Sequence, residues 1–147
     1  MMGKDHKSAL LVLTDRTTLI TMIEKLQGKT STEVTQKIIE RLSNFSSSYI
    51  KSITFDNGKE FAGHNQIANK FNIKTYFTSP YTSQEIGTVE NRIGVIRRFF
   101  PKKTDLRNVT KQRIKQVELS INNRPIRKFN YLSLIEILNK NFVALMS

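Results

Sequence analysis

The spacing of apolar residues changes several times along the chain, and each change predicts a different element. An unbroken apolar run at 9–13 and a second short apolar segment at 19–23 flank a short polar segment, which predicts two strands joined by a tight turn. Thr30 and Glu33 then have the spacing of a helix capping box, and apolar residues follow at helical intervals up to Phe45. We therefore expect a hairpin followed by a helix that crosses back over it.

A strand, a short helix and a second strand follow in the middle of the chain. Residues 51–55 alternate between polar and apolar positions, residues 65–71 have helical spacing, and residues 73–77 form another strand-like run. Strands joined by a tight turn pair antiparallel, whereas strands separated by a helix pair in parallel. The sequence therefore predicts a mixed α/β sheet.

Two helices are predicted in the C-terminal half. The first has an apolar stripe that reaches Phe100, and Pro101 ends it. Glu90 lies one residue past the first member of that stripe, about 100° around the helix, where a carboxylate stays in contact with water. The last helix starts near residue 110 and breaks at the Asn-Asn-Arg-Pro segment 122–125.

The composition indicates one globular domain. At 147 residues the chain is long enough for a single hydrophobic core, so we expect one domain, 1–147, with a basic helical part at 102–147. No apolar stretch approaches the roughly 18 residues that a membrane helix needs, and the N-terminus lacks the pattern of a secretory signal. We therefore expect a cytoplasmic protein with no membrane partner. Cysteine is absent, so any metal would be bound by oxygen or by histidine.

The positive charge is concentrated in the C-terminal third. The chain has a net charge of +12; residues 1–91 contain 11 Lys and Arg against 9 Asp and Glu, whereas residues 92–147 contain 13 against 3. Clustered cations neutralise phosphates and release counterions, so this region predicts a nucleic-acid interface. A solvated surface without a partner is the alternative interpretation. The candidate DNA-binding residues are Arg92, Arg97, Arg98, Lys102, Lys103 and Lys111.

Two acidic residues are the candidates for chemistry. Asp56 ends the strand 51–55 and precedes Asn57 and Gly58, which turn the backbone away, and Glu90 follows 34 positions later. Two carboxylates from different elements of a basic protein are typical of enzymes that bind divalent metal ions and act on phosphodiesters. Asp-Asn-Gly is also a common turn sequence, and Glu90 alone would be an ordinary surface residue of a helix.

Five motifs, in order along nearly the whole chain, resemble the catalytic core of bacterial insertion-sequence transposases, in particular the insertion-sequence-thirty family. They are Gly-Lys-Asp-His-Lys-Ser-Ala-Leu at 3–10, Thr-Phe-Asp-Asn-Gly-Lys-Glu-Phe at 54–61, Gly-Thr-Val-Glu-Asn at 87–91, Arg-Arg-Phe-Phe-Pro-Lys-Lys-Thr-Asp at 97–105 and Asn-Asn-Arg-Pro at 122–125. The resemblance implies a retroviral-integrase-like, RNase H-like α/β fold with a mixed five-stranded sheet flanked by helices.

The resemblance also implies metal-dependent cleavage and strand transfer of DNA during transposition. Two Asp and one Glu would bind two Mg²⁺ or Mn²⁺ ions, with Asp56 as the second carboxylate and Glu90 as the third. Water would first free a 3′-hydroxyl at a transposon end, and that hydroxyl would then attack target DNA. The partners would be both DNAs, and joining two ends would require at least a dimer.

One part of the family pattern is not found in this sequence. In the family the first catalytic Asp lies on the first strand, a few residues before the segment that corresponds to 3–7, but here only Met1 and Met2 precede that segment. Neither Asp5 nor Asp15 lies in the corresponding place. We expect an N-terminally truncated core whose first strand is largely missing, which would leave two sheet fragments with unpaired edges.

Three functional interpretations follow from these observations. The first is a transposase catalytic core that is active when complete. The second is a catalytically inactive remnant that at most binds DNA through its basic end. The third is an unrelated basic nucleic-acid-binding domain whose two acids have structural roles.

Overall fold

The computed structural model of the protein describes residues 8–16, 18–45, 49–56, 58–78, 87–126 and 132–133. The strands in these residues are β1 (Ala9–Thr14), β2 (Thr21–Leu26), β3 (Ser52–Phe55), β4 (Lys74–Phe77), β5 (Pro125–Ile126) and β6 (Leu132–Ser133). The α-helices are α1 (Ser31–Leu42), α2 (His64–Phe71), α3 (Gly87–Ile96) and α4 (Lys111–Asn122). None of these helices combines the length and the apolar character that crossing a membrane requires.

The strands β1 and β2 form the predicted antiparallel hairpin. Its register runs from Ala9 opposite Leu26 to Thr14 opposite Thr21. The second strand begins two residues later than the apolar run indicated. The reason is that Leu19 has a φ of 64°, a left-handed conformation that belongs to the turn and not to an extended strand.

The strands β3 and β4 form a parallel pair, as predicted, with α2 as the crossover between them. Ser52 lies opposite Lys74, and Phe55 lies opposite Phe77. The crossover helix ends at Asn72, whose φ of 52° is the left-handed conformation common at helix C-termini. Because the two strands run in the same direction, the residues that follow them lie at the same edge of the sheet.

The strands of the described residues belong to three two-stranded sheets, β1–β2, β3–β4 and β5–β6. Within this part of the chain no ladder of backbone hydrogen bonds joins β1–β2 to β3–β4. The mixed five-stranded sheet that the resemblance implies is therefore not continuous in the described residues. The short antiparallel pair β5–β6 adds strand structure to the region 102–147, for which the sequence indicated helices.

A first hydrophobic core joins the two sheets, although no backbone ladder does. One face of β1–β2 and one face of β3–β4 pack on it, together with the buried faces of α1 and α2. Burial of this apolar surface stabilises the contact between the sheets, since each buried aliphatic or aromatic side chain contributes about 1.5–3 kcal/mol. Its buried members are Ala9, Leu11, Ile20, Met22, Leu26, Val34, Ile38, Leu42, Phe55, Ile67 and Phe71.

A second hydrophobic core lies on the opposite face of β1–β2. Alternation along β1 directs Leu10 into this core and its two neighbours into the first one. The apolar faces of α3 and α4 cover it, so β1–β2 is buried on both faces. Its buried members are Leu10, Ile23, Ile96, Phe100, Leu106, Ile114, Val117 and Ile121.

The helix α1 begins with one half of the capping box that the sequence predicts, and Glu33 bonds to other backbone groups than the box requires. The side chain of Thr30 accepts a hydrogen bond from the backbone N–H of Glu33 at 3.3 Å. The Glu33 carboxylate accepts from the backbone N–H groups of Gln27 and Gly28, at 2.7 and 2.9 Å. It therefore fixes the turn before the helix as well as the helix start.

The helix α3 ends at Ile96, earlier than Pro101 indicated. Beyond that residue the backbone N–H groups of Arg98 and Phe99 bond to carbonyl groups three residues back, at 3.2 and 3.0 Å, which is a tighter winding than an α-helix. Phe100 nevertheless reaches the second core, where it is 3% exposed.

Candidate active site

Asp56 directly follows β3, at the edge where the two parallel strands end. The residue is exposed. Its Oδ1 atom accepts a hydrogen bond from the backbone N–H of Gly58 at 3.2 Å, which is the geometry of an Asx turn. Asp56 therefore takes part in a turn, as its sequence context allowed. The hydrogen bond of this turn holds the carboxylate in an exposed position.

Glu90 lies in the first turn of α3 and is exposed. Val89 and Ile93 beside it are partly buried, and Ile96 is buried in the second core. The apolar stripe of the sequence predicted this arrangement, in which the Glu90 carboxylate lies beside the buried face of α3 and remains exposed to solvent. The N-terminal end of a helix is also where the backbone dipoles favour a negative charge.

Both acids lie on the side of the strands that faces away from α1 and α2. Phe55 points into the first core, so alternation directs Thr54 and then Asp56 to the opposite side. On the hairpin, Leu10 points into the second core, against which α3 packs. Because the first core is shared by both sheets, Asp56 and Glu90 belong to the same side of the strand layer.

The two carboxylates have the chemistry of metal ligands. Neither Asp56 nor Glu90 forms an ion pair within the part of the chain that the structure describes. Exposed carboxylate oxygens are hard ligands that suit Mg²⁺ and Mn²⁺, so the donor set fits these ions. No group of three or more potential ligand side chains is found in the described residues, so a third carboxylate does not complete the pair there.

Asp15 has a structural role, in agreement with its exclusion from the site. Its Oδ2 atom accepts hydrogen bonds from the hydroxyl of Thr18 at 3.0 Å and from the hydroxyl of Tyr49 at 3.1 Å. Burial raises the pKa of the Tyr49 hydroxyl above its usual range, and the negative charge of Asp15 raises it further. The cluster ties the hairpin turn to the segment before β3.

Glu60 is an acid near Asp56 whose place in the sequence is typical of a solvent-facing charge or of a group that supports a metal ligand. It lies in the 3₁₀ turn Lys59–Phe61, and its carboxylate packs against Gly58. The backbone N–H of Gly58 is the group that holds Asp56. Glu60 therefore adds negative charge close to the turn that presents Asp56.

The candidate DNA-binding residues divide into two groups by exposure. Arg92 and Arg97 are partly buried. Burial lowers the pKa of the Arg92 guanidinium from its ordinary value, but a guanidinium stays charged at neutral pH. The exposed group, which lies after α3 and at the start of α4, consists of Arg98, Lys102, Lys103 and Lys111.

Side chains of α4 cover the outer edge of β2, on the far side of the hairpin from β1. The Oδ1 atom of Asn122 accepts from the backbone N–H of Thr21 at 2.9 Å, and its Nδ2 atom donates to the carbonyl of Thr21 at 2.7 Å. The Oε2 atom of Glu118 accepts from the backbone N–H of Ile23 at 2.9 Å. The helix thus supplies the hydrogen bonds that another strand would otherwise make.

Charged side chains extend this edge contact. The Nζ atom of Lys25, the next outward position of β2, donates to the backbone carbonyl of Val109 at 2.7 Å. Arg41 of α1 pairs with Glu24 at 2.8 Å and also with Glu118. Glu118 is buried, with 7% of its surface exposed. Its negative charge is compensated there by the Arg41 guanidinium and by the backbone N–H of Ile23.

Comparison with other proteins gives a family and relatives. The sequence signature of the integrase core domain matches residues 1–83. The transposase for insertion sequence element IS4351 of Bacteroides fragilis is 43% identical over 100% of this chain and 46% of that protein. The transposase InsI for insertion sequence element IS30A of Escherichia coli (strain K12) is 35% identical over 90% of this chain and 35% of that protein. The chain thus spans less than half the length of these relatives.

Solved structures share the fold over nearly the whole chain. The catalytic core domain of BIV integrase matches with a TM-score of 0.74 and 14% identity, over 99% of this chain and 94% of that one. The HTLV-2 integrase catalytic core domain, in complex with magnesium and in a trimeric form, matches with a TM-score of 0.68 and 19% identity, over 93% and 88%. The predicted integrase-like α/β fold is confirmed. The sequence signature, which matches more than half of the residues, shows that the chain belongs to the integrase core domain family.

Proposed function

We propose that this chain is the catalytic core of an insertion-sequence transposase and that Asp56 and Glu90 bind the divalent metal with which it cuts and joins DNA strands. The observation that carries the proposal is the pair itself. Two exposed acids from separate elements lie on one side of the strand layer without a neutralising partner in the described residues, in a chain of net charge +12.

The chain's own residues have separate roles in this proposal. The Asx turn with Gly58 orients the Asp56 carboxylate at the end of β3, and α3 holds Glu90 through its contacts with the second core. When bound, divalent ions would stabilise the attacking and leaving oxygens of an in-line displacement at phosphorus. The protein then needs no nucleophile of its own.

DNA would be bound mainly through its phosphates. The exposed group Arg98, Lys102, Lys103 and Lys111 provides mobile cations, and Arg92 lies on the same helix as Glu90. Transposon ends and target DNA would be the two substrates, and the active form would be a homo-oligomer that acts at the bacterial nucleoid. The domain would comprise residues 1–147, with 102–147 as its basic part.

A second candidate function is favoured by one observation. The described residues contain no group of three ligand side chains, whereas the family resemblance implies three carboxylates. A core with two carboxylates would retain DNA binding and lose cleavage. In that case the chain would be an inactive transposase remnant.

Nicking of supercoiled plasmid in Mg²⁺ or Mn²⁺ tests both candidates. Metal-dependent nicking that Asp56→Asn and Glu90→Gln each abolish would support the first candidate, with Glu40→Gln, an exposed acid of α1, as the matched control. Nicking equal to that of both site variants, together with retained DNA binding, would establish the remnant. Nicking that survives both site substitutions would contradict the assignment of the two acids.

The salt dependence of DNA affinity tests the basic residues separately. Each phosphate contact that is lost should reduce the slope of log affinity against log salt by about 1. We therefore expect Lys102→Gln combined with Lys103→Gln to reduce the slope by about 2. Arg107→Gln is the control, because Arg107 is engaged by Asp105 at 2.8 Å. An unchanged slope in the double variant would remove these lysines from the interface.

A further inference from the structure

Tyr76 is a large aromatic residue exposed on β4. It is 51% exposed, and its side chain makes no ring contact or hydrogen bond within the described residues. Its neighbour Phe77 is also exposed, but the Phe77 ring packs against Phe55 and against His64, with centroids at 5.8 and 4.8 Å. Packing therefore accounts for Phe77, whereas Tyr76 has no packing partner of this kind among the described residues.

The face of β3–β4 that carries Tyr76 is polar and basic. Alternation and register place Ser52, Thr54 and Lys74 on this face with Tyr76. Ser52 and Lys74 are exposed, and Thr54 is partly buried. The strands thus present two hydroxyl groups, one ammonium group and one aromatic ring, with no carboxylate among them. All of these groups suit a nucleic acid strand.

The position of Tyr76 relative to Asp56 follows from the register. Thr54 lies directly opposite Tyr76, and Asp56 lies two residues beyond Thr54 on the same side. At about 3.3 Å per residue, the acid is about 7 Å further along the strand direction. That separation is short enough for one DNA segment to contact both groups.

We propose that Tyr76 stacks on an unpaired DNA base next to the phosphate that Asp56 serves, with Lys74 binding the adjoining backbone. This inference rests on the proposed function and adds a binding site to it. A base in an intact duplex is already stacked, so the base that Tyr76 receives belongs to an opened or single-stranded end. Every base has a π-face, so the contact is tolerant of sequence.

A second copy of this chain is a poorer occupant for the same face. The cores of protein interfaces are depleted in lysine and serine and contain clustered apolar residues, whereas this face has a single ring among hydroxyl groups and an ammonium group. The positive charge of the chain would also oppose self-association through Lys74. Both features are complementary to a polyanion.

Fluorescence anisotropy with two DNA probes tests the proposal: a blunt duplex and the same duplex with a short single-stranded overhang. We expect Tyr76→Ala to weaken binding of the overhang probe about tenfold and to leave binding of the blunt probe unchanged. Tyr76→Phe keeps the ring and should retain full affinity. Leu119→Ala, which removes another exposed apolar side chain (56% exposed), is the matched control and should change neither probe.

Photocrosslinking gives a readout that a merely structural role would not produce. With 5-iododeoxyuridine in the overhang, we expect a crosslinked peptide that contains Tyr76, and its loss in Tyr76→Leu. Equal affinity of Tyr76→Ala and the unmodified chain for the overhang probe, or a crosslink elsewhere only, would overturn the proposal. A shift from dimer to monomer in Tyr76→Ala without any change in DNA affinity would overturn it in favour of an interface between copies.

Failure of this inference and failure of the proposed function give different results. If Tyr76→Ala binds the overhang normally while Asp56→Asn still abolishes metal-dependent nicking, only the stacking contact is overturned. If the unmodified chain does not bind either probe, the stacking contact and the proposed function are both overturned.

Discussion

The hairpin β1–β2 and the parallel pair β3–β4 differ in how completely the rest of the chain covers them. The hairpin has a hydrophobic core on each face, and α4 covers its outer edge through Glu118 and Asn122. The pair β3–β4 has one face on the first core, and its other face and Asp56 are exposed. Stability is therefore concentrated in the hairpin, and candidate chemistry in the pair.

This difference is physically reasonable for a metal-dependent site. A carboxylate that binds a cation must stay ionised and accessible, which excludes it from a covered sheet. The carboxylate of β2, Glu24, is instead paired with Arg41, so the hairpin can be covered on both faces. Substitutions in the two regions should consequently separate effects on stability from effects on metal and DNA binding.

The largest expected effect on stability is at Glu118. Replacement by alanine leaves the backbone N–H of Ile23 without its acceptor and removes one partner of Arg41, so we expect a loss of about 3 kcal/mol in the free energy of unfolding. Urea denaturation measures it. Gln116→Ala, an exposed position of the same helix, should stay within about 0.5 kcal/mol. A loss below about 1 kcal/mol at Glu118 would show that the edge contact is dispensable.

Asn122 should have the next largest effect. Asn122→Ala removes both hydrogen bonds to the Thr21 backbone, and two buried bonds correspond to about 2 kcal/mol of stability. The neighbouring Asn123 is exposed, so Asn123→Ala serves as the control in the same urea titration. Equal midpoints for the two variants would contradict the proposed edge cover.

A packed residue of the pair should matter less than either edge residue. Phe77→Leu keeps apolar volume and removes the ring contacts with Phe55 and His64, and we expect a loss of about 1 kcal/mol. Thermal unfolding followed by circular dichroism measures the change. A loss as large as that of Glu118→Ala would mean that the pair contributes as much stability as the hairpin.

The smallest effect on stability should come from the candidate site itself. Asp56→Asn retains an acceptor for the Gly58 backbone N–H and removes an exposed charge from the chain. We expect the free energy of unfolding to change by no more than about 0.5 kcal/mol. A loss above about 2 kcal/mol would assign Asp56 a structural role and would support the third interpretation of the sequence.

The elements were predictable because their signals are local. The apolar run of β1, the capping box of α1 and the stripe of α4 each lie within one element, and each appears in the structure close to its predicted place. The start of β2 was predicted too early because the left-handed conformation of Leu19 is set by the turn and not by hydrophobicity. The early end of α3 has a similar origin in local backbone hydrogen bonding.

The contacts that were not predicted are long-range and polar. Glu118 and Asn122 lie four positions apart beside the buried stripe of α4, a spacing that puts both side chains on one face. That spacing was the available signal. Their acceptor role became visible only once β2, about a hundred positions earlier in the chain, was placed beside the helix. The exposure of Asp56 and Glu90 was predictable from turn chemistry and helix periodicity. Their position on the same side of the strand layer could be inferred only from the hydrophobic core that both sheets share.

The most direct test of the proposed site is whether one metal ion binds close to both Asp56 and Glu90. With assigned amide resonances, Mn²⁺ added in small amounts broadens the signals of residues close to it. We predict simultaneous broadening at the residues around Asp56 and around Glu90, and loss of both effects in Asp56→Asn and in Glu90→Gln. Broadening at one acid alone, or broadening at either acid that survives substitution of the other, would contradict the account.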